Sequence, residues 1–454
     1  MATMRQRCLV LCACLVTLGL QAATTAASPG NATEPPVVRS AAIERSPIGL
    51  SIEYPVLERA LGSGPCPSPS MIALLRELGA PSLRVGGDSQ DLAGVDGTSG
   101  TDGPFRYTIP PSFWTTLGCL ARETGIQITV GLNFAAATAA DDQATIAAAE
   151  QAIPASQLSF SLGNEPDLYT IAHVLPNEPE FTVPAFRAPS WSASEYSSEW
   201  KTRRSELGPI RLEGPDLAGS GWKQQIGALL REDPPDQLDA HVYPATACGP
   251  APTATAERLL SEHSSVGLVE KLAWLVQAAH AAQRPAIISE SNSASCAGKP
   301  GLSNTPVAGV WAARFVLGTL LSGFQQVRFH SAGTSYDPFV FNPDGTIVRE
   351  PLGNALLFLH HWLPLGSHIA SASTNHSPVF SVNVLSSSSR STIVTSFSAH
   401  AVTLQIAVEG SRTHVSTDAL STTSAVDVHG SLPVLAHSVR LKLEPNTIVA
   451  LRTS

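Results

Sequence analysis

Residues 158–167 read Leu-Ser-Phe-Ser-Leu-Gly-Asn-Glu-Pro-Asp. The first five are apolar or small and carry no charge, as in a strand covered on both faces. The run then breaks at Gly163, and Pro166 has no N–H to give to a ladder. Asn164 and Glu165 are left at the carboxyl end of the strand. A carboxylate on the end of a rigid element is well placed for acid chemistry. The fold turns on whether other strands of the chain end in the same way.

They do, with a regular rhythm. Strand-like runs begin near residues 48, 82, 126, 158, 209, 238, 285 and 326, and helical stretches alternate with them. Eight such units in about 300 residues predict a (β/α)8 TIM barrel, an α/β fold. A doubly wound open sheet is the rival, but no Gly-rich nucleotide loop follows the first strand. After an apolar helix near residues 353–363, the composition shifts to Ser, Thr and Val. Residues 379–385, 392–398, 402–408, 432–441 and 447–451 read as short strands with polar turns, which predicts a C-terminal antiparallel β-sandwich with a supporting role. Residues 37–43 are a further β-like run that can join that sandwich from the other end of the chain.

The expected divisions are a secretory signal peptide (1–27), a leader with the N-terminal strand (28–47), the barrel (48–363) and the sandwich (364–454). Arg5 and Arg7 precede the apolar run 8–20, and small residues follow, which is the pattern of a signal for export. The run is too short to anchor the chain, and no other stretch is long and apolar enough to span a membrane. The expected location is therefore extracellular. Cys66, Cys119, Cys248 and Cys296 remain after the signal, enough for two disulfides with three possible connectivities, or for buried free thiols. Asn31 and Asn375 begin glycosylation sequons. Hydrophobic residues make up 43% of the 454 and charged residues 14%, the balance of a folded chain. The net charge of −9 argues against a nucleic-acid partner. The chain is taken as a monomer.

Polar residues gather where the proposed strands end. Glu53 ends the first and Asp88 follows the second. Asn164 and Glu165 follow the fourth, His241 and Tyr243 lie on the sixth, and Glu290 ends the seventh. In a TIM barrel these ends share one face, which is where catalytic residues sit. Two facing carboxyl groups fit glycoside hydrolysis, one protonating the leaving oxygen and the other attacking the anomeric carbon. Glu290, flanked by Ser289 and Ser291, reads as the nucleophile because hydroxyl donors keep a carboxylate ionised. Glu165 reads as the acid/base. His330, on an apolar strand, reads as a core histidine outside the catalytic set. Asp88, after two glycines, could instead cap the next helix. No His/Cys spacing points to a metal, and no cofactor is expected.

The segments Gly163-Asn164-Glu165-Pro166-Asp167 and Ile287-Ile288-Ser289-Glu290-Ser291 resemble those of the retaining glycosidases whose two glutamates end barrel strands four and seven. Residues 83–89, Leu-Arg-Val-Gly-Gly-Asp-Ser, and residues 51–54, Ser-Ile-Glu-Tyr, narrow the likeness. With them the chain resembles glycoside hydrolase family 79, the β-glucuronidase and heparanase family. That resemblance implies a barrel plus sandwich, no metal, and a partner that is a glucuronic-acid-containing oligo- or polysaccharide. It implies that Asn164 binds the sugar 2-hydroxyl, that Tyr243 donates to Glu290, and that His241 supports the same region. It implies that Glu53 and Asp88 hold hydroxyls on the far side of the sugar. The uronate carboxylate would lie near Gly333 and Tyr336, or near residues 296–301, where Lys299 is the nearest cation. The expected activity is that of a secreted retaining exo-β-glucuronidase. Its alternatives are an endo-acting heparanase-like enzyme and a non-catalytic glycan-binding protein on the same scaffold. A retaining mechanism requires the two carboxyl groups to stand about 5 to 5.5 Å apart.

Overall fold

The computed structural model describes residues 40–95, 107–175, 178–219, 221–223, 225–342, 344–371, 378–408 and 413–453. The signal segment, the leader and both sequons, Asn31 and Asn375, lie outside the described residues. Eight parallel strands close into a barrel in chain order: β1 (Ile48–Ile52), β2 (Ser82–Val85), β3 (Ile128–Leu132), β4 (Leu158–Leu162), β5 (Leu212–Leu217), β6 (Gln237–His241), β7 (Ala286–Ser291) and β8 (Val327–Ser331), with β8 pairing β1. The α/β barrel read from the spacing is the observed fold. Every residue of these strands is buried.

Two kinds of residue alternate along them. Leu83, Val85, Ile128, Val130, Leu158 and Phe160 belong to the apolar core. The positions between them are polar and meet across the inside of the barrel. Thr129 and Ser159 donate to Oε1 of Glu213, and Arg328 donates to both oxygens of that carboxylate. A buried ion pair of this kind holds only because each charge is also hydrogen-bonded.

The chain ends build the second layer. A seven-stranded sheet runs in the order 40–42, 368–371, 379–385, 390–396, 447–452, 414–421 and 424–433. A two-stranded antiparallel ribbon, 402–407 with 438–443, accompanies it. Val394, Leu404, Val415, Val439, Leu441 and Val449 form a separate apolar cluster shared by the ribbon and the sheet. Ser40–Ala42 pairs with 368–371 antiparallel, so the run near 37–43 does join the sheet.

Two strands differ from the sequence reading. His414–Ser421 is a strand whose apolar signal is weak, and its pairing with Thr447–Arg452 decides it. The run 432–441 is split, because Ala436 and His437 take φ of 48° and 59° and turn the chain between two strands. Between β6 and β7 the chain forms three short helices, 256–260, 266–270 and 273–281.

Helix Pro306–Leu321 joins the layers. It is apolar on all sides and almost wholly buried, between helix Pro351–Trp362 and the sheet. Its single charge, Arg314, crosses into the sheet. The guanidinium donates to Thr395 Oγ1 (3.0 Å) and to the carbonyls of Ser396 (2.7 Å) and Leu260 (2.9 Å), and it lies over the Phe397 ring. Two disulfides resolve the open connectivity. Cys66–Cys119 ties the segment before helix Pro69–Glu77 to helix Pro111–Thr124, and Cys248–Cys296 ties the loops after β6 and β7.

Candidate active site

The carboxyl ends of the strands bring the predicted residues onto one face. Glu165 comes from a backbone that few non-glycine residues adopt, with φ 51° and ψ 54°. Its N–H donates to the main-chain oxygen of Asp216 (3.0 Å) on β5, and Pro166 begins a short 3-10 turn that holds the reversal. Such a conformation persists where its surroundings fix it, and it aims the carboxyl group away from the strand direction. Gly163, just before, has φ 83°, and a Cβ there would meet the Tyr169 hydroxyl at 2.5 Å. Asn164 is pinned from two sides. Its N–H donates to Asp91 Oδ2 (2.9 Å), and its Oδ1 accepts from Arg84 NH2 (2.9 Å).

Glu290 faces it from the end of β7, 5% exposed. One carboxylate oxygen from each glutamate, with a ring nitrogen of His241, all lie within 4.8 Å of one another. That is the close spacing of a retaining pair, since an inverting pair stands about 6.5 to 9.5 Å apart. Tyr243 OH donates to Glu290 Oε1 (2.7 Å), and Arg84 NH1 donates to Oε2 (2.9 Å). His330 Nδ1 lies 3.4 Å from that same Oε2. Burial by itself would raise the Glu290 carboxyl. The charges of His330, His241 and Arg84 and the Tyr243 hydroxyl outweigh it, and the group is drawn down to about 2. Glu165 moves the other way. Burial raises it, and the nearby charges of Glu290 and Asp88 add to that, against the hydrogen bond from His241. One carboxyl biased to ionise beside one biased to hold its proton is the division of labour that acid-assisted displacement needs.

Three of the atoms here have the spacing of metal ligands, but protein cations already serve them. Arg84 sits on Glu290 and His241 on Glu165, so a divalent ion would meet a guanidinium and an imidazole at close range.

His330 belongs to the site, contrary to its reading as a core histidine. Its ring bridges Ser51 Oγ (3.1 Å) and Glu290 on one side and Glu53 Oε1 (3.2 Å) on the other. The alternating run Gln-Val-Arg-Phe-His hid this, because its polar positions meet partners on distant strands inside the barrel. Glu53 and Asp88 are both present, but in different circumstances. Glu53 accepts the N–H groups of Asp88 (3.0 Å) and Ser89 (2.8 Å) and the Ser89 hydroxyl. Glu53 is therefore the acceptor at the start of the turn Asp88–Leu92, and Asp88 lies within that turn. Gly87 permits that contact. Its φ is 113°, and a Cβ there would lie 2.3 Å from Glu53 Oε1 and 2.7 Å from His330. Asp88 points to the rim, where Oδ2 lies 3.1 Å from His173 Nε2.

Near the proposed carboxylate pocket, Tyr336 is buried with its ring edge-on to His330 at 6.0 Å. The N–H of Gly333 is already donated to Asp337 Oδ2 (3.0 Å). Lys299 is turned away, its Nζ donating to the Ala254 carbonyl (3.0 Å).

Arg84 and Asp216 were the residues that sequence reasoning passed over. Arg84 lies in Ser-Leu-Arg-Val, an apolar strand where one fully buried cation signals a buried anion to meet it. Asp216 escapes a sequence reading because Gly214-Pro215 is a pair that normally breaks a strand, whereas β5 continues to Leu217. A carboxylate just after Gly214-Pro215 at a strand end was the available signal, analogous to Glu165 after Gly163-Asn164.

No family model matches the chain. The chain is 29% identical over 347 residues to a β-glucuronidase of Neurospora crassa, covering 66% of this chain and 59% of that protein. It is 25% identical over 313 residues to a β-glucuronidase of Aspergillus niger, covering 59% and 53%. The matched part thus spans less than two thirds of the length of either relative. Among solved structures, a 4-O-α-L-rhamnosyl-β-D-glucuronidase from Fusarium oxysporum superposes with a TM-score of 0.71 at 20% identity, covering 92% of this chain and 98% of that one. A family 51 arabinofuranosidase from Xanthomonas axonopodis pv. citri gives 0.63 at 13% identity, with the same coverage. By sequence the chain is similar to fungal β-glucuronidases, and by fold it shares the barrel and accompanying sheet of these solved structures.

Proposed function

We propose that the protein is a retaining exo-β-glucuronidase that releases terminal β-linked glucuronic acid from glycans by double displacement. The observation that carries this reading is the close approach of Glu165 and Glu290, with their opposite biases toward holding and losing a proton. Glu290 attacks the anomeric carbon as Glu165 protonates the departing oxygen. Glu165, now ionised, then takes a proton from the water that hydrolyses the glycosyl-enzyme. Asn164 is set for the sugar 2-hydroxyl, and Tyr243 and Arg84 hold Glu290 ionised and in place. Asp88 on the rim is available to a sugar hydroxyl. The buried Tyr336 beside His330 is the favoured partner of the uronate carboxylate.

The uronic acid preference rests on the names of the fungal relatives. Exo action is supported by the wall that Leu168, Ile171, His173 and Phe186 form beside Glu165. An endo enzyme for a sulfated polymer would need an open basic cleft, and the chain has 28 Lys and Arg against 37 Asp and Glu. Export from the cell and a monomeric state are part of the proposal, the first resting on the N-terminal signal pattern and on two disulfides.

The test is hydrolysis of 4-nitrophenyl β-D-glucuronide followed by proton NMR. The β-anomer of glucuronic acid should appear first, and Glu290→Gln should abolish turnover. Release of the α-anomer first, or equal rates in both proteins, would overturn the assignment.

A further inference from the structure

One residue holds Glu165 twice. The main-chain oxygen of Asp216 accepts the Glu165 N–H at 3.0 Å. Its side chain reaches the same glutamate through an imidazole: Asp216 Oδ1 lies 3.0 Å from His241 Nε2, and His241 Nδ1 lies 2.9 Å from Glu165 Oε1. Neither the Asp216 nor the His241 side chain has any exposed surface. Ser289 Oγ donates to Asp216 Oδ1 (3.1 Å), and Arg84 NH2 lies 3.5 Å from it, so the donors converge on Oδ1, while the buried Oδ2 has no hydrogen-bond partner among the described residues. The Asp216 N–H in turn donates to Asp239 Oδ1 (2.8 Å).

An ionised carboxylate can only accept hydrogen bonds, and an imidazole donates from both nitrogens only as the cation. With the Glu165 proton on Oε2, an imidazole fixed between Asp216 and Glu165 satisfies both contacts only when it carries both protons. Its Nδ1–H then occupies Oε1 of Glu165. Oε2 has no hydrogen-bond partner among the described residues. We propose that Asp216, acting through His241, is the positioning residue that keeps the transferable proton of Glu165 on Oε2, the oxygen free to meet the leaving group. This rests on the reading of Glu165 as acid/base.

The surrounding charges agree. Burial opposes a charge on His241, but Glu290, then Asp216 and Glu165, attract a proton to it against the repulsion of Arg84, and the ring is pushed up to about 10. Arg84 and the hydrogen bonds from His241 and Ser289 hold Asp216 low, although burial opposes them. Glu165 also faces Glu290 and Asp88, with His173 beyond Asp88 on the rim. Neutralising Asp216 has two effects. His241 can lose a proton in the working range, so its bare nitrogen can take the Glu165 proton onto Oε1. Glu165 also loses a cationic neighbour, which raises its pKa.

The experiment compares wild type, Asp216→Asn, His241→Gln and the double variant. It uses phenyl β-glucuronide, whose leaving group needs a proton, and 2,4-dinitrophenyl β-glucuronide, whose leaving group does not. Asp216→Asn should lose about 10² in kcat on the phenyl substrate, the scale of acid catalysis, and at least tenfold less on the dinitrophenyl one. The basic limb of kcat/KM should move to higher pH. His241→Gln should show the same leaving-group selectivity, and the double variant should be no worse than the poorer single. Nitrogen-15 NMR of labelled histidine should show both His241 nitrogens protonated at pH 7 in wild type and only one in Asp216→Asn.

Equal losses on both substrates with an unmoved pH limb would overturn the proposal, as would a His241 signal indifferent to Asp216→Asn. If Asp216→Asn does not fold, His241→Gln carries the same substrate comparison. A wild type that cleaves neither glucuronide would sink the glucuronidase reading alone. The nitrogen spectra would then still decide where the protons lie, with double protonation of wild-type His241 upholding the arrangement and single protonation refuting it.

Discussion

Arg84, on the second strand, places NH1 2.9 Å from Oε2 of Glu290, on the seventh. Its other terminal nitrogen lies 2.9 Å from Asn164 and 3.5 Å from Asp216. One fully buried cation thus sets the ionisation of the proposed nucleophile and the orientation of the residue beside the proposed acid.

Arg84→Met should therefore fail in two ways. Removing one partner of a buried charge cluster costs about 3 to 5 kcal/mol, because Glu290 and Asp216 lose their compensation. The thermal midpoint should fall accordingly in a calorimetric scan. In the protein that remains folded, kcat on an aryl β-glucuronide should drop about 10²-fold or more, since Glu290 becomes harder to ionise. Arg84→Lys should recover stability better than activity, because an ammonium cannot reach Glu290 and Asn164 with a planar fork. A Lys variant with full activity would contradict this account.

Tyr243→Phe removes only the hydrogen bond to Glu290 Oε1. Glu290 should stay ionised at neutral pH, with Arg84 and His330 still beside it. The expected loss is about tenfold in kcat, with KM changed less, because the phenol supports the carboxylate most as charge redistributes in the displacement. Steady-state kinetics on one aryl glucuronide measures both constants. A change confined to KM would assign Tyr243 to substrate binding instead.

Stability should peak in mild acid. Burial raises Asp91 to about 6, Asp142 to about 7 and Asp337 to about 6. A carboxyl raised on folding stabilises fully below its unfolded value near 4, and that stability is lost as pH rises through the folded value. His241, raised to about 10, has the same sign. Its contribution is complete below about 6.5 and disappears as pH climbs toward 10. Glu290, lowered to about 2, contributes above about 4.3 and loses its contribution as pH falls toward 2. The thermal midpoint should therefore rise from pH 2 to about 4 to 5 and decline by about 5 °C or more by pH 8. A flat profile from pH 4 to 8 would contradict the burial of those three aspartates as neutral acids.

Arg314→Met should weaken the hold between the barrel and the sheet. Three hydrogen bonds to Thr395, Ser396 and Leu260 are lost, and the two carbonyls and the hydroxyl lose their donor. A cost of about 2 to 4 kcal/mol is expected from the groups left unpaired. The apolar surroundings of the methionine offset part of it. Denaturant titration with a probe in each layer should show both layers losing stability together.

The barrel was legible because a parallel strand and its crossover helix each leave a periodic trace, repeated here eight times with strand starts displaced by three residues at most. The two glutamates were legible because each follows an uncharged buried run that stops abruptly. What escaped were residues whose meaning depends on the inside of the barrel. Arg84 and His330 sit in runs that look apolar, and only closure of the sheet shows that their partners lie on distant strands. The sheet was less legible for a related reason. His414–Ser421 has few apolar residues, and it is a strand because Thr447–Arg452 lies beside it. Glu53 shows a further limit: its position at a strand end was evident, whereas its acceptance of the turn at Asp88–Leu92 depends on the tight approach that Gly87 allows.

Helix Pro306–Leu321 bears on how far this protein can be treated as modular. It is greasy all round, rooted in the sheet by one arginine, and it leads within six residues into the strand that carries His330. Trimming the chain to its barrel would leave that helix wet on one side and prone to self-association. The sheet is therefore a poor candidate for exchange in chimeric enzymes, and a graft that spares every catalytic side chain but cuts at residue 364 should yield aggregates.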